Sequence, residues 1–513
     1  MDYLVGIDLG STSLKAVIYD LAGNVVAKAS RPTERFNPYP DHPDWAIWKP
    51  EQIWGGTAEA LKEAVGRLDD PAGIQGVAVT GMGMDGVPID KDGNWLYPFI
   101  SWHCARTAPQ QAWWTEHVGA EKQFSITGNP IWAINTALRL LWMREHEPAI
   151  LDKADKWLLI EDFINFMLTG ERATDYSMAS NTLLFDQRKR AYSEEILEIS
   201  GIDRGLLCDP MPSGTPLGKV HARAAEATGL PVGTPVVLGG HDFLCGCLPV
   251  GAFRPGVVLD VAGTWEIIVG ALAEPVLTDE VRQMGWWVDS HVARGQYAAM
   301  GSAVAAEMLE WFRDQYGFEE ARKAEAEGGA DWDYLMAAAE ASPPGANGVM
   351  FLPHMSGATI PAPDPASMGA FVGLRNIVTK GDMLRAVVEA LNYQFLQILA
   401  GLQTGLKVTP EKFVTVGGGA RNAFWMQNKA DMVGKPFETP EVEEATPLGA
   451  AILAGIGVGL YKNEQEAFEQ VYKPGRVFEP HADLTARYAE GFKTFQQIYP
   501  ALKDLNGQLR QRA

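Results

Sequence analysis

Cysteine is scarce in this chain of 513 residues, which has only Cys104, Cys208, Cys245 and Cys247. So few thiols cannot build a disulfide framework, and their sparse use is typical of a reducing compartment. The first residues also lack a basic segment followed by an apolar run, because Asp8 falls where that run should lie. We therefore expect a cytoplasmic protein.

Positive charge is also in short supply. Lys and Arg total 43 against 64 Asp and Glu, which gives a formal net charge of -21. Nucleic acids and anionic membranes attract basic surfaces, so neither is an expected partner. A phosphate group can still be bound locally, through backbone amides or a metal ion.

Long hydrophobic runs are missing as well. The most apolar stretch, PLGAAILAGIGVGLY at residues 447–461, is shorter than the roughly 20 residues that a membrane span needs. Its Gly and Ala content predicts a buried helix packed closely against a sheet. With 47% hydrophobic and 21% charged residues, the composition is that of a globular protein. The length suggests about two to four domains.

The order of predicted elements suggests a duplication. Strands at 3–7, 14–19 and 25–28 surround a Gly-rich turn, and a helix at 50–68, a strand at 75–80, a Trp-rich helical region at 108–169 and a strand at 235–238 follow. A strand pair with a Gly-Thr turn recurs at 256–270, about halfway along the chain. Helices at 301–316 and 380–406 then alternate with strands at 348–352 and 412–416. We predict an α/β fold of two lobes, 1–253 and 254–513, with a cleft between them.

The first Gly-rich turn has the chemistry of a phosphate site. Small hydroxyl residues and exposed amides are what phosphate oxygens need at close approach, and the candidates are Asp8, Gly10, Ser11, Thr12, Ser13 and Lys15. Lys15 adds a cation, and Asp8 could hold Mg²⁺. An ordinary hairpin with a polar tip is the alternative. The second turn, at Gly263 and Thr264, favours phosphate binding, because two such turns can grip a polyphosphate from both sides. The Walker-type phosphate loop is absent.

Asp242 is the candidate general base. It follows a predicted buried strand and precedes a predicted helix, so it lies at the positive end of the helix dipole. Capping the helix is the alternative role, and both are compatible. His241, Cys245 and Cys247 lack a zinc spacing, and we interpret them as buried packing residues.

Two further segments are candidate binding sites. In the first, Asp85 and Arg106 could hydrogen-bond a polyol and Trp102 offers an apolar face to a sugar, although a structural Asp–Arg ion pair beside a core Trp is the alternative. In the second, the run GGGARN at 417–422 could lie flat against a base or ribose, although a close helix–strand turn explains it equally well.

The sequence resembles the FGGY carbohydrate kinases of the actin/Hsp70 ATPase-like superfamily, over nearly its whole length. The carrying segments include GIDLGSTSLKAVIYD, DGNWLYPFISWHCART, LTGERATDYSMAS, GGHDFLCG, AGTWEI and VGGGARNAFWMQNKADM. The resemblance implies two ribonuclease H-like lobes, and it assigns Asp242 as catalytic base and Asp8 and Asp242 to Mg²⁺. It also assigns the first turn together with Gly263, Thr264, Gly418, Gly419 and Asn422 to ATP, and Met84, Asp85, Trp102, Arg106 and Asp242 to the sugar.

The implied activity is transfer of the γ-phosphate of ATP to a primary hydroxyl of a sugar, most simply a ketose such as L-fuculose. Xylulose, ribulose, rhamnulose and erythritol are alternatives, and a homodimer is possible. A non-metabolic actin-like ATPase is the rival from another class. The acidic residues and the Arg at the expected cleft, and the base at Asp242, argue against that rival.

Overall fold

The computed structural model describes residues 1–358 and 363–511. Its strands, in chain order, are β1 (Tyr3–Leu9), β2 (Ser13–Asp20), β3 (Val25–Pro32), β4 (Ile47–Trp48), β5 (Ile74–Gly81), β6 (Gly86–Ile89), β7 (Phe99–Ile100), β8 (Lys156–Leu159), β9 (Ala173–Asp175), β10 (Phe185–Asp186), β11 (Ala191–Tyr192), β12 (Asp209–Met211), β13 (Pro216–Lys219), β14 (Pro235–His241), β15 (Val257–Ala262), β16 (Trp265–Leu272), β17 (Trp287–Ser290), β18 (Tyr297–Val304), β19 (Met350–Leu352), β20 (Ala370–Val372), β21 (Lys412–Val416), β22 (Phe437–Thr439) and β23 (Arg476–Phe478).

The α-helices, in chain order, are α1 (Pro50–Val65), α2 (Ala108–His117), α3 (Ala120–Thr127), α4 (Thr136–His146), α5 (Pro148–Leu151), α6 (Ile160–Thr169), α7 (Tyr176–Ser180), α8 (Glu194–Ser200), α9 (Ala222–Thr228), α10 (Asp242–Val250), α11 (Asp279–Gln283), α12 (Ala306–Tyr316), α13 (Phe318–Glu327), α14 (Asp331–Ala341), α15 (Lys380–Thr404), α16 (Ala423–Val433), α17 (Ala445–Gly457), α18 (Glu464–Val471) and α19 (Ala482–Arg510).

Two large sheets have the same internal topology. The first sheet has the order β13-β14-β5-β1-β2-β3 and the second has β17-β18-β16-β15-β21-β22-β23. In each sheet an antiparallel hairpin, β1–β2 or β15–β16, continues into a parallel pairing, β1 with β5 or β15 with β21. The duplicated pattern predicted for the two halves is therefore confirmed, as is the two-lobed α/β fold.

Each sheet packs on a hydrophobic cluster of its own, and the two sheets also share a third cluster. Helices α10 and α17 contribute buried side chains to a cluster that also contains residues of both sheets, such as Val237 and Val269. Glycine allows α17 to approach the first sheet this closely, because a Cβ on Gly6 would lie 1.9 Å from the Pro447 carbonyl oxygen. A Cβ on Gly449 would lie equally close to the Cys245 carbonyl oxygen, 1.9 Å away. The apolar stretch at 447–461 is thus the buried helix that we predicted, with α17 ending at Gly457.

Some predicted elements were wrong in part. Residues 301–304, predicted as the start of a helix, end strand β18, and helix α12 begins at Ala306. The Trp-rich region at 108–169 is mainly helical, but it contains the strand Lys156–Leu159. In both places a short apolar run is compatible with the periodicity of a helix and with that of a strand. Pairing with a neighbouring strand decides which of the two forms. Among the described residues, none of the helices combines the length and the hydropathy that a membrane span requires.

Candidate active site

One cavity of about 440 Å³ collects most of the residues predicted for phosphate transfer. Its lining is Asp8, Gly10, Ser11, Thr12, Ser13, Lys15, Met82, Met84, Trp102, Ile134, His241, Asp242, Phe243 and Thr446. The first-turn residues, the expected base and two of the expected sugar contacts therefore share one space. Thr446, on α17, brings the second half of the chain to the same cavity.

The first turn joins β1 and β2 as a tight hairpin. The amide of Gly10 donates to the Ser13 carbonyl at 3.2 Å, and pairing sets Asp8 opposite Lys15. The hydroxyl of Thr33, directly after β3, donates to the Gly10 carbonyl at 2.7 Å and so stabilises the tip. The tip is left open to solvent at Ser11, Thr12 and Ser13, where a phosphate could reach it.

Asp242 is the first residue of α10, directly after β14. Its Oδ1 accepts a hydrogen bond from the Phe243 amide at 2.6 Å and lies 2.8 Å from His241 Nδ1. Burial is the largest single influence and works against a charge on His241, but the carboxylates of Asp242, Asp289 and Asp175 together outweigh it and raise the pKa of the imidazole. His241 is buried, as predicted, and its position next to the expected base is the sequence signal for this additional contact.

Asp8 lies in a region rich in negative charge. Burial, followed by the neighbouring carboxylate of Asp242, raises the pKa of Asp8 to about 7, while Lys15 acts in the opposite direction. The ammonium of Lys15, which lines the cavity, pairs with Glu444 at 2.9 Å. Carboxylate oxygens are hard ligands, and where little positive charge surrounds them they suit Mg²⁺. This ion is usually held by one or two carboxylates plus substrate phosphates. Among the described residues, no group of three or more His, Cys, Asp or Glu could hold a metal alone.

A second cavity, of about 830 Å³, contains the residues predicted for the nucleotide. Gly263, Thr264, Gly418, Gly419 and Asn422 all line it. The side chain of Asn422 caps α16 by accepting from the Trp425 amide at 3.0 Å. A Cβ on Gly419 would lie 2.7 Å from the Trp425 ring, so glycine is needed for this close turn.

The sequence did not reveal the opposite wall of the second cavity. Helices α12 and α14 supply it with Leu309, Glu310, Trp332, Asp333, Met336, Ala337 and Glu340. Apolar and aromatic side chains in this wall suit a planar base. No local motif marks these positions, since their only signal is helical periodicity.

Asp85 and Arg106, the other charged residues expected at the sugar, are not among the residues that line either cavity, and their contact with a sugar stays a prediction. Asp85 is fully buried, its Oδ1 lies 3.0 Å from Arg139 Nη2, and its Oδ2 accepts from the Trp48 indole at 2.7 Å. Burial raises the pKa of Asp85 to about 6, against the opposing effect of Arg139. The alternative of an Asp85–Arg106 ion pair is wrong, because Arg139 is the partner of Asp85.

Arg106 lies instead in a box of aromatic rings. Its guanidinium carbon is 4.2 Å from the Trp45 ring centroid and 4.9 Å from those of Tyr39 and Trp142. The Nε–H donates to the Cys104 sulfur at 3.0 Å. Cation–π contacts of this kind stabilise a loop, and they hold the Arg106 guanidinium among these rings.

Comparison with known proteins identifies the class. The model of the FGGY family of carbohydrate kinases, N-terminal domain, matches residues 3–248, and that of the C-terminal domain matches residues 259–458. With its two actin/Hsp70-like lobes, the protein is a phosphotransferase that uses an alcohol group as acceptor. It belongs to the FGGY family of carbohydrate kinases.

Individual relatives differ in the substrate that their names state. The chain is similar to L-fuculokinase of Escherichia coli (30% identity, covering 94% of this chain and 98% of the relative) and to an autoinducer-2 kinase of Yersinia enterocolitica (32%, covering 97% and 94%). Among solved structures, xylulose kinase from Rhodospirillum rubrum superposes with a TM-score of 0.88 at 29% identity, covering 98% of this chain and 99% of that one.

Proposed function

We propose that the protein transfers the γ-phosphate of ATP to a primary hydroxyl of a ketose, with L-fuculose as the first candidate. The observation that carries the proposal is the first cavity. Its lining combines the phosphate hairpin, the carboxylate of Asp242 and an apolar wall from Met84 and Trp102. A sugar hydroxyl bound against that wall lies between the base and the phosphate donor.

In the reaction that we propose, Asp242 accepts the proton of the hydroxyl as its oxygen attacks the γ-phosphorus. The bond from the γ-phosphorus to the bridging oxygen breaks, and ADP leaves. Backbone amides of the first hairpin, the hydroxyl of Thr12 and the ammonium of Lys15 stabilise charge on the transferred group. His241, 2.8 Å from Asp242, orients the base.

Mg²⁺ fits this site as the expected cofactor, with Asp8 and Asp242 as the residues that would hold it. When bound, it neutralises charge on the phosphate oxygens. Closure of the lobes excludes water that would otherwise hydrolyse ATP. The cytoplasm is the location that we propose, because the four cysteines are buried free thiols. A homodimer stays a prediction, which sedimentation would check.

A coupled ADP-release screen over ketoses, aldoses and polyols tests the proposal. We expect ADP release that depends on a sugar, fastest with a ketose, and loss of that dependence in Asp242→Asn. Autoinducer-2 belongs in the same screen, since a kinase named for it is 32% identical. ATP turnover that no sugar stimulates would instead support an actin-like ATPase.

A further inference from the structure

Met84 lies in a strained turn in the wall of the first cavity. Its φ is 60°, and the Asp85 amide donates to the Gly83 carbonyl at 2.6 Å, which closes a three-residue turn around it. Turns of this type with a positive central φ are rare and strained for a residue with a side chain. Such strain persists only where the surroundings impose it, and it concentrates at functional sites.

Two buried side chains of α4 impose this conformation. The Met84 carbonyl accepts from the Thr136 hydroxyl at 2.7 Å and from Arg139 Nη1 at 3.1 Å. Thr136 and Arg139 are 0% and 1% exposed. If the turn relaxed, both donors would lose their acceptor in a place that water does not reach. The two hydrogen bonds therefore stabilise the turn in its strained conformation.

Arg139 connects the turn to the rest of the wall. The guanidinium pairs with Asp85 at 3.0 Å and also donates to the carbonyl of Ile134. Met84 and Ile134 line the cavity, whereas Thr136 and Arg139 do not. The two α4 residues therefore act on the contents of the cavity only through the residues that they hold.

We propose that Thr136 and Arg139 are positioning residues that set sugar specificity by holding Met84 in its strained turn. The inference rests on the function proposed above, since it assigns the first cavity to a sugar. Relaxation of the turn moves the Met84 side chain and the neighbouring backbone groups against the sugar. The ATP contacts lie on the hairpin and in the second cavity, so nucleotide binding is unaffected.

The test substitutes Thr136→Val, which keeps the shape and removes the donor. Its matched control is Thr228→Val, because Thr228 is equally buried, donates to the Ala224 carbonyl at 2.7 Å and lines neither cavity. The probe is whichever of L-fuculose, L-rhamnulose, D-xylulose and D-ribulose the wild type phosphorylates fastest. We expect Thr136→Val to raise the KM for that sugar at least about five-fold and to change the ranking of the four sugars. The KM for ATP stays within about two-fold. Thr136→Ser retains the hydroxyl and restores both sugar properties.

A second background separates positioning from simple stability. Glycine adopts positive φ without strain, so in Met84→Gly the turn no longer needs the Thr136 bond. There, Thr136→Val should change the KM for the sugar by less than about two-fold. Two outcomes overturn the inference. In the first, Thr136→Val changes the KM for the sugar equally in the wild-type and Met84→Gly backgrounds. In the second, Thr136→Val differs from wild type only in Tm, as Thr228→Val does. Wild-type ADP release that no sugar stimulates overturns the proposed function, and with it this inference.

Discussion

At the scale of single residues, the carboxylate of Asp242 has two roles that are compatible with each other. It lies at the first position of α10, where the helix dipole favours a negative charge, and it is also the proton acceptor that we propose. The nearby imidazole of His241 stabilises the same charge. Both roles therefore use the same carboxylate at the start of α10.

Asp242→Asn should lower kcat by about 10³-fold, within the range that loss of a general base usually costs, and leave the fold intact. The amide keeps the size of the side chain but cannot accept the proton. Sugar-dependent ADP release measures the effect. Asp279→Asn is the control, since Asp279 also begins a helix, α11, and should retain wild-type kcat. More than about a tenth of wild-type kcat in Asp242→Asn would rule out the assignment.

Asp8 gives a prediction about pH. In the fold its pKa is about 7, whereas in the unfolded chain it is near the ordinary value of 3.8. The folded state therefore keeps a proton that the unfolded state loses, and this contribution to stability disappears as the pH rises towards 7 and above. Burial is the largest cause of this pKa shift; among the charged groups, Asp242 and Glu444 add to it and Lys15 opposes it.

We compare the Tm of Asp8→Asn with that of wild type in Mg²⁺-free buffer. The difference, Asp8→Asn minus wild type, should increase by about 2 °C or more as the pH rises from about 5 to 8. The asparagine carries no charge at either pH, so it does not lose the stabilisation. Asp2→Asn, an exposed position just before the same strand, is the control and should follow wild type. Parallel pH profiles for wild type and Asp8→Asn would contradict the raised pKa.

At the scale of elements, α17 depends on glycine where it crosses α10. Gly449→Ala would place a methyl group 1.9 Å from the Cys245 carbonyl oxygen, so the two helices must separate. We expect a loss of at least about 2 kcal/mol in the free energy of unfolding, measured with denaturant. Gly507→Ala in α19 meets open space and should be neutral or stabilising by up to about 1 kcal/mol. Equal stabilities of the two variants would show that the crossing adapts.

Local sequence patterns predict some of these elements well and give no information about how others pack. The strands predicted at 3–7, 14–19 and 25–28 are β1, β2 and β3, each somewhat longer than predicted. Strand alternation and Gly-rich turns are local signals, and they also revealed both hairpins. The α4 residues that hold Met84 carry no such signal, because they become partners only when α4 packs beneath the turn.

At the scale of the whole molecule, the predicted lobe boundary at 253/254 stays a prediction, and the shared core complicates it. Helix α17 comes from the second half of the chain, yet its Pro447 carbonyl contacts Gly6 of the first sheet. Inter-lobe pairs such as Lys28–Glu443, at 2.5 Å, are exposed and stabilise little. The buried helices hold the lobes together.

Residues 1–253 expressed alone should therefore fail to form a stable domain. Without α17, one face of the first sheet exposes side chains such as Leu4 and Val237, which are buried in the full chain. Calorimetry should show one cooperative transition for the full chain and none for the fragment. A fragment that melts cooperatively would mean that each lobe is an independent folding unit.

The sequence alone determined the class of this protein: the duplicated hairpins, the Gly-rich first turn, the segment around Asp242 and the glycine turn at 417–422 are short motifs whose chemistry is local. Only the tertiary structure decided which polar groups meet. It paired Asp85 with Arg139 and enclosed Arg106 among aromatic rings brought from positions 39, 45 and 142. The physical reason is that a buried charge takes the partner that packing brings within reach, and distance along the chain does not record it.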